Sequence, residues 1–149
     1  RFEESLFELQ VAGYVPVVTH PERLSWLPDH YAMFTRAARA GAWMQITSGS
    51  LAGRFGRKPQ YWAERMLDDG LVHVLATDAH HPRKRPPLLA EGREAAARRV
   101  GAEQATLMVV TRPQAILDNL PVQLLPPRHT ERIAAPPSRG FWQTVFGKG

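Results

Sequence analysis

Residues 71–87 read LVHVLATDAHHPRKRPP. Leu71 to Ala76 is a short, nearly continuous apolar run, of the kind buried on both faces in a parallel sheet, and it predicts a strand. The polar residues follow abruptly. Asp78 and His80 leave the strand two positions apart, so in extended chain they point the same way, roughly 6.5 Å apart. Both can face one metal cluster, or they can form a capped strand exit with a solvated histidine. His73, set between Val72 and Val74, reads as a core histidine.

Upstream, the same alternation repeats. Phe2, Leu6, Leu9 and Ala12 fall near helical spacing before Gly13, and YVPVVT (14–19) predicts a short strand ending at His20. Pro28 and Asp29 open a helix through Ala40, with Gly41 beyond its end, and Trp43 to Ser48 (WMQITS) predicts the next strand. A helix from about Pro59 to Asp69 closes at Gly70. Strand, helix, strand, helix, strand is an α/β pattern. In such folds ligands gather at the carboxyl ends of strands, where His20, Gln45 to Ser50, Asp78 and His80 lie. Downstream, Leu88 to Val100 predicts a helix. Gln104 to Asn119 is expected as two short helices, although TLMVVT has β propensity. Domain 1–120 is followed by a Pro/Gly-rich tail, 121–149, whose Phe141, Trp142, Val145 and Phe146 lie among basic residues. It reads as a partly ordered terminus, or as a segment that docks or touches membrane.

Composition narrows the chemistry. The 149 residues contain no cysteine, which excludes disulfides, a thiol nucleophile and thiolate metal sites and leaves His, Asp and Glu as strong metal ligands. No apolar run approaches the roughly 20 residues that span a bilayer, there is no signal-peptide pattern, and a cytoplasmic location is expected. The stretch starts at Arg1 and reads as a piece of a longer protein. A net charge of +5 favours an anionic partner. The scattered arginines match no nucleic-acid-binding pattern, and anionic small substrates fit at least as well.

Three ligands from two strand ends, His20, Asp78 and His80, suit Mn, Fe or Zn. Arg23 and Arg85 are candidate phosphate clamps, because a guanidinium fork grips two phosphate oxygens and offsets charge that builds during transfer. The alternative for Arg23 is a surface ion pair with Glu22 or Glu64. GSLAGRFG (49–56) is either a phosphate-cradling loop, with Gly49 and Ser50 as substrate contacts, or a tight strand-to-helix turn. Ser48 and Ser50 have no neighbouring His/Asp pair, so a serine triad is unsupported.

PVVTHPER (16–23), QITSGSLAGRFG (45–56) and LVHVLATDAHHPRKRPP together resemble three successive signature segments of the polymerase-and-histidinol-phosphatase (PHP) superfamily. They are most similar to bacterial manganese-dependent protein-tyrosine phosphatases of capsule and exopolysaccharide operons. The resemblance runs from about Phe2 to Asn119. It implies part of a distorted β/α, TIM-like barrel with up to three Mn2+ ions, and dephosphorylation of a membrane-associated tyrosine autokinase that controls polysaccharide export. It also implies that His20, Asp78 and His80 are metal ligands and that Arg23 and Arg85 bind phosphate. The family's N-terminal His-x-His and its further His and Glu ligands are not in this stretch, so the fragment alone is expected to be inactive. A small-metabolite phosphatase and a non-catalytic binding module are the competing readings. The sequence leaves open a homo-oligomer, and any membrane contact is expected to be indirect or through the tail.

Overall fold

The computed structural model describes residues 1–126. Three strands form one parallel sheet in the order β1 (Val17–Thr19), β2 (Trp43–Thr47), β3 (Val72–Ala76). Helices make the crossovers: α2 (Leu27–Arg39) joins β1 to β2, and α3 (Ser48–Leu51) with α4 (Arg57–Asp68) joins β2 to β3. An α1 helix (Phe2–Val11) precedes the sheet. Gly41 and Gly70 follow α2 and α4 at positive φ, the left-handed turn that glycine allows without a Cβ clash. The α/β reading therefore holds.

Burial follows the sequence pattern. Every residue of β2 is buried, as are all of β3 except Ala76, whereas β1, at the opposite edge from β3, is largely exposed. Pairing runs Val17 to Trp43, Val18 to Met44 and Thr19 to Gln45 on one side of β2. On the other, Met44 faces Val72 while Gln45 faces Val74, so His73 is skipped in a bulge. Its Nδ1 accepts the Met44 N–H at 3.1 Å and its ring stacks on Trp43 at 5.2 Å, which makes it the core histidine expected. Leu27, Phe34, Met44, Ile46, Met66 and Leu75 are almost fully buried between sheet and helices.

Local differences from the expected elements have physical causes. β1 begins at Val17 rather than Tyr14: Tyr14 and Val15 are exposed, and Pro16 contributes only its carbonyl, to Trp43 N–H at 2.8 Å. Part of GSLAGRFG is the helical turn α3, not only a loop. Beyond β3, α5 (Ala90–Val100) lies so close to α3 that a Cβ at Gly92 would stand 2.6 Å from Ser48 Cα. The TLMVVT segment is helical throughout: α6 (Ala102–Thr106), a wide π turn (Leu107–Thr111) and α7 (Arg112–Leu117) follow without a break. Pro113 has no N–H for the fourth carbonyl back, and its ring crowds that carbonyl, so the backbone widens before it. Only a short 3₁₀ turn (Val122–Leu124) represents the tail; its aromatic residues and His129 lie outside the described residues.

Candidate functional site

The site assembles where β1 and β3 end. His20 leaves β1 with φ 40° and Asp78 lies beyond β3 with φ 50°, both left-handed backbone that non-glycine residues adopt at a cost. His20 N–H still bonds Gln45 O at 2.8 Å, continuing the ladder, and Pro21 then starts a 3₁₀ turn (Pro21–Arg23). That reversal carries Arg23 back across the sheet end. There its Nη1 donates to Asp78 Oδ2 at 2.9 Å.

Arg85 reaches the same oxygen from the other side. Its approach is set by a tight turn: Arg85 N–H bonds His81 O at 3.1 Å in an antiparallel bridge. His81 Nδ1 accepts the N–H groups of Arg83 and Lys84. His81 thus shapes the turn that aims Arg85. Asp78 Oδ1 is hydrogen-bonded to His80 Nε2 at 3.0 Å. Partial burial pushes the Asp78 pKa up, but the His80 hydrogen bond and the charges of Arg85, His20 and His80 outweigh it and hold the carboxyl below its usual value.

Of the expected site residues, Arg23, Asp78, His80 and Arg85 are directly bonded, with His20 near enough for its charge to act on Asp78. The Arg23 partner is neither Glu22 nor Glu64. Glu64 pairs with Arg99 at 2.6 Å, and Glu22 is turned inward. Gly49 and Ser50 are buried, and the Ser50 hydroxyl donates to Glu22 Oε1 at 2.7 Å, which directs it into the protein. A cavity of about 250 Å³ opens beside the cluster, lined in part by Phe55, Thr77, Lys84, Arg85 and Leu88.

Two residues escaped the sequence reading. Glu22 is buried beneath the site, and its Oε1 also accepts Thr47 N–H at 3.0 Å, so it pins the 3₁₀ turn carrying Arg23 to the end of β2. Burial raises its pKa against the lowering by its hydrogen bonds with Ser50 and Thr47. Phe55, hidden in a glycine-rich stretch, lies against both arginines, with the Arg23 and Arg85 guanidinium carbons 4.6 and 5.4 Å from its ring centroid.

As a metal set, one carboxylate and two imidazoles are right in kind for a divalent transition ion. They are short in number. Among the described residues no group of three or more His, Asp or Glu is placed to hold a metal ion, and both Asp78 oxygens are engaged by protein donors.

Comparison with known proteins identifies relatives of the chain. Tyrosine-protein phosphatase YwqE of Bacillus subtilis is 41% identical over 86 residues, 57% of this chain and 34% of the relative. Tyrosine-protein phosphatase CpsB of Streptococcus agalactiae serotype V is 30% identical over 124 residues, 77% of this chain and 49% of the relative. A solved structure from work on YwqE of Bacillus subtilis and CpsB of Streptococcus pneumoniae, described as unique metal-dependent tyrosine phosphatases, superposes with a TM-score of 0.76 at 33% identity. It covers 85% of this chain and 51% of that one. The chain thus spans between a third and a half of the length of these relatives. The family described as "Capsular polysaccharide synthesis, CpsB/CapC" matches residues 1–118, and the chain belongs to that family.

Proposed function

We propose that this chain forms the carboxyl-terminal half of a metal-dependent phosphotyrosine phosphatase in which Arg23 and Arg85 grip the phosphate. The observation that carries the reading is the meeting of both guanidinium groups on one anionic oxygen at the carboxyl edge of the sheet. Two forks aimed at one oxyanion suit a phosphate ester, whose several oxygens can take both. The relatives named as tyrosine phosphatases support phosphotyrosine as the ester. On the family resemblance, the protein partner would be a tyrosine autokinase of polysaccharide export, acted on in the cytoplasm.

His20, Asp78 and His80 would hold part of a metal centre, with Mn2+ the expected ion, and the remaining ligands would come from a polypeptide of the relatives' length. The sheet would there continue past the β1 edge into a distorted β/α barrel. A bound divalent ion supplies a water acidic enough to give hydroxide near neutral pH. The residues of this chain orient and neutralise: Arg23 and Arg85 donate to non-bridging phosphate oxygens, and the turn built on His81 keeps Arg85 in reach. Glu22 fixes the backbone from which Arg23 springs.

The test compares the 149-residue chain with a form extended to the relatives' length, measuring metal content by mass spectrometry and hydrolysis of a phosphotyrosine peptide. Bound transition metal and turnover in the extended form, both lost with His20→Ala, are expected. An extended form without metal or turnover would overturn the proposal in favour of a non-catalytic module.

A further inference from the structure

A single aromatic ring touches both arms of the clamp. The Phe55 ring takes the Arg23 guanidinium at 4.6 Å and that of Arg85 at 5.4 Å from its centroid, within the range where a ring's negative face attracts a cation. These are the two groups that share Asp78 Oδ2. Asp78 anchors their tips, yet two like charges brought to one oxygen repel, and long side chains pivot about a single contact. A ring in touch with both groups restrains their planes as well.

The neighbouring sequence makes room for it. A Cβ at Gly49 would stand 2.9 Å from Phe55 Cε2, so any side chain there displaces the ring. Gly49 therefore leaves the ring room in its present seat, which gives this glycine a role without contact to an anion. Phe55 also lines the 250 Å³ cavity beside Arg85, placing it at the site rather than in the general core.

We propose that Phe55 is a positioning residue, holding Arg23 and Arg85 side by side so that both can donate to one phosphate. The proposal rests on the phosphatase reading for its ligand, but the alignment of the arginines stands apart from it. Two exposed cation–ring contacts correspond to a roughly 5- to 30-fold change in the equilibrium they support.

The first measurement needs no substrate. In the 149-residue chain labelled with 15N-arginine, Arg23 and Arg85 side-chain N–H signals, assigned through Arg23→Lys and Arg85→Lys, should carry ring-current shifts. Phe55→Leu should abolish them and Phe55→Tyr should retain them. The second uses the form extended to the relatives' length: the inhibition constant of inorganic phosphate should rise roughly 5- to 30-fold in Phe55→Leu and return to near wild type in Phe55→Tyr. Absence of ring-current shifts in wild type overturns the proposal. So does a phosphate constant unchanged by Phe55→Leu. Shifts that behave as expected in a protein that neither hydrolyses phosphotyrosine nor binds phosphate support the ring's hold on the arginines and overturn the phosphatase reading instead.

Discussion

Replacing Glu22 separates the hydrogen-bonding role of a buried carboxyl group from its charge. Oε1 accepts from Thr47 N–H and from the Ser50 hydroxyl, Oε2 has no partner, and the residue is 1% exposed. Glu22→Ala leaves two buried donors unsatisfied. At about 1–3 kcal/mol for each such group, a loss of about 3 kcal/mol is expected. A shift of roughly 3–4 °C per kcal/mol for a chain of this size makes that about a 10 °C fall in Tm. Glu22→Gln keeps the Oε1 acceptor and removes the charge, and its amide can donate to Thr47 Oγ1, which is also buried without a partner. It should lie within about 1 kcal/mol of wild type at pH 7. Because burial raises the Glu22 pKa, the folded state holds this proton more tightly than the unfolded chain. The resulting contribution is full below the unfolded value and is lost as pH rises through the raised folded value. Urea unfolding of wild type, Glu22→Gln and Glu22→Ala from pH 4 to 8 tests each part. A wild-type-minus-Gln difference that is flat with pH, or a Gln variant as damaged as the Ala variant, would refute the reasoning.

Gly92→Ala should cost about 2–4 kcal/mol in thermal unfolding, because the new methyl meets the Ser48 backbone as well as its side chain and must push α5 off α3. His73→Ala should cost about 2–3 kcal/mol by the same assay, since Met44 N–H loses its acceptor inside the sheet and Trp43 loses its stacking face. In a phosphatase-active polypeptide, Arg85→Lys should lower kcat/KM for a phosphotyrosine peptide by roughly 100-fold with little change in Tm, because a lysine keeps the charge and loses the fork.

The parts of the fold written in periodicity were legible. WMQITS and LVHVLA are apolar without alternation because both sheet faces are covered, and Gly41 and Gly70 mark the ends of the helices before them. TLMVVT shows why propensity is a weak guide: its valines and threonines favour strand in isolation, but packing between α6 and α7 against β3 makes the segment helical. At the site, spacing brought out Asp78, His80 and the arginines, because residue type and strand ends are visible in one dimension. Glu22 was not legible. An acid flanked by proline and arginine looks like surface, and only the return of the chain beneath β2 buries it. Phe55 was obscured in another way, by neighbouring glycines that drew attention to a backbone cradle. The available signal was the aromatic residue itself, the sole large apolar side chain in RFGRK (54–58).

The charge balance of the cluster bears on the proposed phosphate grip. With its pKa held low, Asp78 carries one negative charge against the two positive charges of Arg23 and Arg85, so a net positive charge remains at the sheet end. On the proposed function, that surplus would attract a phosphate dianion, and the partial burial of all three side chains would leave the attraction less screened than on open surface. Both guanidinium groups share a single Asp78 oxygen, which leaves neither with the two-point grip its planar fork can make. A phosphate offers several oxygens, so on the proposed function moving the arginines from carboxylate to phosphate would replace shared contacts with separate ones. The exchange needs arginines that turn slightly without losing alignment. The left-handed backbone at His20 and Asp78, with the Phe55 ring beside both guanidinium groups, would give such an exchange a fixed base from which the side-chain tips turn.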